Sequence, residues 1–128
     1  MANEVRATTT LTGTKYGQTV TGNSTANITL AGSQLMSSTQ VIGTSEEIVT
    51  FAADLVAEGV GHIRIYNEDT VHFVTIKVKS GGTTYPFAKL LAGESCLFRT
   101  NVAAASDPAI WAQSDTAPCT IQVTAVGT

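Results

Sequence analysis

Two histidines, two cysteines and a few paired carboxylates are the side chains of this 128-residue chain whose types suit metal, thiol or acid–base chemistry. His62 and His72 flank the acidic segment Asn67-Glu68-Asp69-Thr70. On two consecutive strands joined by that turn, the imidazoles would face each other and, with Glu68 or Asp69, suggest a metal site. Metal ligands, however, must converge and be held by partners of their own. Two outward histidines beside an acidic turn form a solvated or interface patch instead. Glu46-Glu47 and Glu68-Asp69 point to opposite faces of a strand or sit in a turn, so neither pair converges on a cleft as glycoside hydrolysis requires. Gly13-Thr14-Lys15 superficially resembles the end of a phosphate-binding loop but lacks the upstream glycine, the preceding strand and the following helix. Cys96 and Cys119 are too far apart for a redox or zinc motif and read as small buried hydrophobes on neighbouring strands. Whether they pair depends on the compartment. These residues predict no enzyme, no cofactor and no metal.

The elements that would carry these residues are short strands. A hydrophobic share of 43% supports a real core, and a chain of this length makes one domain. Charged residues make up 13%, about half of the usual ~25%, with Thr, Ser, Gly and Asn in their place. A surface this neutral is either tolerated or covered by other subunits. The net charge of -3, with seven basic residues scattered among ten acidic ones, excludes the clustered Lys and Arg that nucleic acid demands. No apolar run approaches the ~20 residues that cross a bilayer. The opening Met-Ala-Asn-Glu-Val-Arg shows no secretory pattern, so synthesis in a cytoplasm is expected.

The chain changes character near Glu46. From Tyr16 to Ser45 there is no charged side chain. Val5, Ala7, Thr9 and Leu11 share one face of a potential strand, as do Ala26, Ile28 and Leu30, but their apolar bulk is thin. Edge strands are normally guarded by Lys, Pro or inward charge, and none of these occurs between Tyr16 and Ser45. Residues 1–45 are therefore expected to form an extended arm of weak strands that completes its pairing on a neighbour, with a flexible leader as the alternative.

Residues 46–128 are expected to form the β domain. Ile48–Phe51 reads as a strand, and 54–61 as a connection. His62–Tyr66 alternates, with Ile63 and Ile65 inward. Val74, Ile76 and Val78 alternate with Thr75, Lys77 and Lys79. Ser80-Gly81-Gly82-Thr83 closes a hairpin, and Pro86 confines its strand to an edge or to its first residues. Ser95–Thr100, Ile110–Ala112 and Cys119–Val126 supply further strands. No segment keeps helical periodicity; Glu47–Val60 comes closest and fits poorly. The predicted fold is all-β: one β-sandwich or barrel-like domain of about seven to nine short antiparallel strands, with an extended N-terminal arm. By alternation Tyr66 and Phe73 point away from the inner aliphatics, either to form a contact surface or to cover a second sheet. The candidate interface residues are Val5, Leu11, Tyr16, Ile28, Leu30, Tyr66 and Phe73.

The runs HIRIYNEDTVHFVTIKV, PFAKLLAGESCLFRT and AIWAQSDTAPCTIQVTAV resemble a family of small virion structural proteins, decoration or cement-like, of tailed bacteriophages. Asn67-Glu68-Asp69 matches that family's Asn-Leu-Asp-like turn, with Glu68 where the pattern prefers an apolar residue. Phe73-Val74-Thr75-Ile76 matches the strand after it. Leu91-Ala92-Gly93-Glu94 matches a Leu-Lys-Pro-Gly-Glu-like turn, with Ala92 at the proline, and Leu97-Phe98-Arg99 matches a strand ending in Arg. The likeness covers 46–126, and the arm matches in character. It implies a virion location and partners among the major capsid protein or other virion proteins. It also implies a homo-oligomer, for which a trimer would fit, with no nucleic-acid or membrane partner. A capsid decoration or cement protein is the expected role. A head-fibre, neck or tail component is the alternative, and a carbohydrate-binding β-sandwich is a third.

Overall fold

The computed structural model describes residues 4–29, 34–100 and 107–127, which divide into two units, Met1–Ser33 and Gln34–Thr128. The first unit is a two-stranded antiparallel hairpin, β1 (Glu4–Lys15) and β2 (Gln18–Thr29). Twelve cross-strand pairs run without a bulge from Glu4↔Thr29 to Lys15↔Gln18. Tyr16 and Gly17, with φ of 51° and 77°, make the two-residue turn. Positive φ at both central positions gives a twist that matches the strands.

The second unit is a sandwich of two four-stranded antiparallel sheets. One sheet has the order β3 (Leu35–Ile42), β10 (Cys119–Gly127), β5 (Val60–Asn67), β8 (Ser95–Arg99). The other runs β4 (Glu47–Ile48), β9 (Ile110–Ser114), β6 (Val74–Ser80), β7 (Thr83–Leu90). The core follows from alternation. Ile63 and Ile65 on β5, Val74 and Ile76 on β6, Ala112 on β9 and Ile121 and Val123 on β10 have no exposed surface. Each isoleucine so buried contributes about 1.5–3 kcal/mol relative to leaving it exposed. The Gly81-Gly82 turn joins β6 to β7 with φ of 58° and 84°. Pro86 lies on β7, at the edge of its sheet and beside a register shift between Ile76 and Lys77. There its missing N–H interrupts no ladder. The all-β expectation holds, with eight sandwich strands.

Several local expectations are corrected. The arm does not extend to residue 45. Leu35–Ile42 is an edge strand of the sandwich, paired along β10 from Cys119↔Ile42 to Val126↔Leu35, so the division falls after residue 33. An edge strand with one covered face needs little apolar bulk, and Ile42 is the one residue of β3 that is fully buried. The strand expected at Ile48–Phe51 shrinks to Glu47–Ile48; beyond it Val49 donates to the Ile110 carbonyl, and Val49 and Phe51 plug the core. A six-residue helix, α1 (Ala53–Glu58), follows, with Leu55 buried. Val78, expected inward, is 38% exposed near the end of β6.

The largest correction concerns β5 and β6. They are not a hairpin, because they lie in different sheets and residues 68–73 carry the chain across. His62 pairs across from Arg99 on β8, while His72 sits in the crossing, so the two imidazoles do not face each other. Nor are the cysteine strands neighbours: β5 separates β8 from β10. Two strand spacings, roughly 9–10 Å, exceed the reach of a disulfide, about 7 Å between Cα atoms. Both thiols are free.

The crossing is built around Asn67, which is fully buried. Its side-chain amide donates to the carbonyls of His72 at 2.9 Å, Leu90 at 3.1 Å and Leu91 at 3.2 Å. Its Oδ1 accepts from the Asp69 N–H at 3.0 Å. Asp69 Oδ1 in turn accepts from Val71 and His72 N–H, both at 2.7 Å. The turn after β7 closes on the same residue: Gly93 N–H donates to the Asn67 carbonyl, and Leu91 N–H donates to the Glu94 carboxylate. The hydrogen bonds to Asp69, those from His72 foremost, hold its carboxyl below the ordinary aspartate range. A depressed value stabilises the fold above about pH 4, and that contribution is lost as pH falls through the folded-state pKa. Thermal melts from pH 7 to pH 3 should show this acid loss, and Asp69→Ala should remove its share of it.

Candidate interaction surface

Because strand side chains alternate, the unbroken register sorts the hairpin into two unlike faces. One carries Val5↔Ile28, Ala7↔Ala26, Thr9↔Ser24, Leu11↔Gly22, Gly13↔Val20 and Lys15↔Gln18. The other carries Glu4 and Arg6 at its open end and then Thr8, Thr10, Thr12 and Thr14 opposite Thr25, Asn23, Thr21 and Thr19. Hydroxyl pairs cross the strands at Thr8–Thr25 (3.3 Å) and Thr14–Thr19 (3.2 Å), and on the apolar face at Thr9–Ser24 (2.9 Å).

Apart from the half-buried Val5, Ala7 and Ile28, every residue of both strands is exposed. Leu11 is 70% exposed and Val20 59%. A lone two-stranded hairpin is marginal in water, and among the described residues this one has an apolar face whose Leu11 and Val20 are exposed and two edges that pair with no further strand. Among the candidate residues, Val5, Leu11 and Ile28 come together on the apolar face. Leu30 lies outside the described residues. Gly13, Val20 and Gly22 belong to the same face and were missed; an isolated glycine inside an alternating strand pattern was the signal that could have found them.

Tyr16 forms the tip at 93% exposure, with Lys15 Nζ 5.3 Å from its ring centre. A left-handed tyrosine costs roughly 1 kcal/mol that Asn or Gly would avoid. Tyr16→Asn should therefore stabilise the hairpin, visible as slower amide exchange at Lys15 and Gln18.

Tyr66 and Phe73 belong to the second unit. Each is half-buried with a cation against its ring: Arg64 Cζ lies 5.2 Å from the Tyr66 centre and Lys89 Nζ 3.9 Å from that of Phe73. Lys79 Nζ stands 4.3 Å from the Trp111 ring. A cation thus stands against one face of each of these three rings. Larger apolar exposure sits on the edge strands, at Tyr85 and Phe87 on β7 and at Leu35 and Val41 on β3. Phe87 meets Phe98 of β8 edge to face at 5.3 Å, joining the two sheets. The β3 edge carries no charge, but Gln40 partly closes it by donating to the Ile48 carbonyl (2.8 Å) and accepting from Thr50 N–H (3.0 Å). The open depression of about 440 Å³ beside it has Gln40 and Thr50 in its wall, with Met36 and Phe51.

Several titratable side chains are engaged in structure. Lys77 Nζ is 2.6 Å from both Glu46 Oε1 and Gln113 Oε1, and Gln113 donates to the Thr44 carbonyl. The hydrogen bond from Lys77, followed by one from Thr84, keeps Glu46 below its ordinary pKa. Burial, then Arg99, pushes His62 down. Burial raises both thiols, so neither Cys96 nor Cys119 is an activated thiolate. Among the described residues no three His, Cys, Asp or Glu side chains are grouped to hold a metal ion, and no helix is long and apolar enough to cross a membrane. No family model, curated protein or solved structure matches this chain.

Proposed function

We propose that this chain is a structural subunit of a tailed-phage virion, a decoration or cement protein that binds the outer shell and stabilises it through arm and sheet contacts. The observation that carries the reading is the hairpin: twenty-four strand residues in perfect register, almost all exposed, on an element that gains too little from its own contacts to stand alone in water. Such an element becomes worth ordering when another protein covers it. The neutral composition of Tyr16–Ser45 supports the same reading, since uncharged Thr, Ser and Asn are cheaper to desolvate than Lys or Glu.

The mechanism is additive. Each copy contributes a modest contact, and many copies on one shell act together because every bound subunit lies at high effective concentration relative to the next site. Contacts burying about 1,000 Å² or more mark such attachment as specific. Quantitative mass spectrometry of purified particles tests the assignment. A copy number comparable to that of the shell protein is expected. Copies sufficient only for a ring would move the protein to the neck or tail, and absence from particles would overturn the reading.

A further inference from the structure

We propose that the notched apolar face of the hairpin is a self-association surface that takes the same face of a second copy of this chain. The proposal rests on the assembly reading only in treating the hairpin as an interface; it requires no virion.

Two glycines carry it. Gly13 and Gly22 lie in mid-strand, neither at positive φ, and a Cβ built on either meets nothing within 4 Å. Neither backbone conformation nor crowding within the chain calls for glycine there, and glycine in a strand interior weakens it. What these positions supply is a hollow. Gly22 stands opposite Leu11, and Gly13 opposite Val20. Shallow depressions of about 370 and 310 Å³ lie at these two pairs. The face thus presents two knobs and two notches, with knob and notch exchanging strands from one pair to the next.

That pattern is complementary to itself under one operation. A two-fold axis along the hairpin, with both tips pointing the same way, places β1 of one copy over β2 of the other. Leu11 then enters the partner copy's notch at Gly22, and Val20 the notch at Gly13, each contact occurring twice as an isologous interface requires. Ala7 meets Ala26, Val5 meets Ile28, and Lys15 meets Gln18 rather than a second Lys15. The Thr9–Ser24 pair, joined by one hydrogen bond at 2.9 Å, meets the same pair of the second copy, whose hydroxyl oxygens can accept the remaining proton. Pairing with the tips opposed would instead set Val5 against Lys15. The Thr and Asn face remains outside and free for other contacts.

A face of two strands and twelve residues measures roughly 40 by 10 Å, so pairing buries about 800 Å² in total. This is less than the ~1,200 Å² of permanent interfaces, and the association is reversible.

Sedimentation equilibrium of the full chain without particles should show a concentration-dependent monomer–dimer equilibrium. Gly22→Val should weaken it about ten-fold or more by filling the notch. The same change favours the isolated strand, so hairpin amide shifts should persist. Asn23→Val, one residue away on the opposite face, should leave the equilibrium unchanged. The exchanged pair Leu11→Gly with Gly22→Leu should restore it. A monomer at every concentration, a trimer, equal loss in Gly22→Val and Asn23→Val, or no rescue by the exchange would overturn the proposal. A dimer that never appears on particles would leave the self-association intact and sink the virion assignment instead.

Discussion

A chain beginning at Gln34 should fold and melt as a sandwich yet, on the proposed role of the hairpin, fail to join particles, whereas one beginning at Glu46 should not fold. The first cut removes the hairpin unit and leaves both four-stranded sheets complete. The sheet β3-β10-β5-β8 keeps its edge, and Gln34 keeps its N–H bond to Glu58 and its carbonyl bond from Gly127. Circular dichroism should show strand content and cooperative melting, while binding to particles should be lost. The second cut also strips β3. It exposes the flank of β10 from Cys119 to Val126, removes the fully buried Ile42 and breaks the Gln40 bonds to Ile48 and Thr50. Loss of a core isoleucine to alanine alone costs ~2–5 kcal/mol, and a domain of this size holds only ~5–15 kcal/mol. Removing the whole strand should therefore exceed what the sandwich can lose. Retained particle binding by the chain from Gln34 would show that the hairpin is not the attachment element.

Asn67→Leu should be among the most damaging single changes in the sandwich. The substitution keeps the branched skeleton, adds some bulk and removes the amide that three carbonyls and one N–H use: those of His72, Leu90 and Leu91, and that of Asp69. Each buried group left without a partner costs about 1–3 kcal/mol. Because these groups belong to one network, the losses do not add in full, and a total of ~3–5 kcal/mol is expected. For a domain near a hundred residues this lowers Tm by more than ~12 °C. Asn67→Asp should be worse at pH 7, since it sets a carboxylate against carbonyl oxygens, and should partly recover as acid restores a donor. Equilibrium urea unfolding of both variants across pH measures this. A loss under ~1 kcal/mol for Asn67→Leu would mean that water or backbone adjustment replaces the amide.

The sequence by itself determined most strands of the sandwich, most of their inward faces and several turns. Ile63 and Ile65, or Ile121 and Val123, can turn inward only where the side-chain period is two. Gly81-Gly82 admits the positive φ that a tight hairpin needs. Asn67 and Asp69 carry short polar side chains that bond the backbone beside them. Pro86 could not donate within a ladder and had to lie where no donor was needed. The two faces of the hairpin are half legible: alternation puts Val5 and Leu11 on one face and marks Ile28 across from them, while Gly13 and Gly22 give no such mark because a notch carries no side chain.

Only the tertiary structure decided which strand lies beside which. Alternation specifies a face but names no partner, so β5 and β6 read as a hairpin although residues 68–73 carry the chain from one sheet to the other. The same ambiguity assigned Leu35–Ile42 to the arm, because an edge strand that fully buries one residue looks locally like an unattached one. It also placed Cys96 and Cys119 on neighbouring strands that β5 in fact separates. Pairing is settled by burial shared among residues far apart in the chain, and no local window contains both members of such a pair.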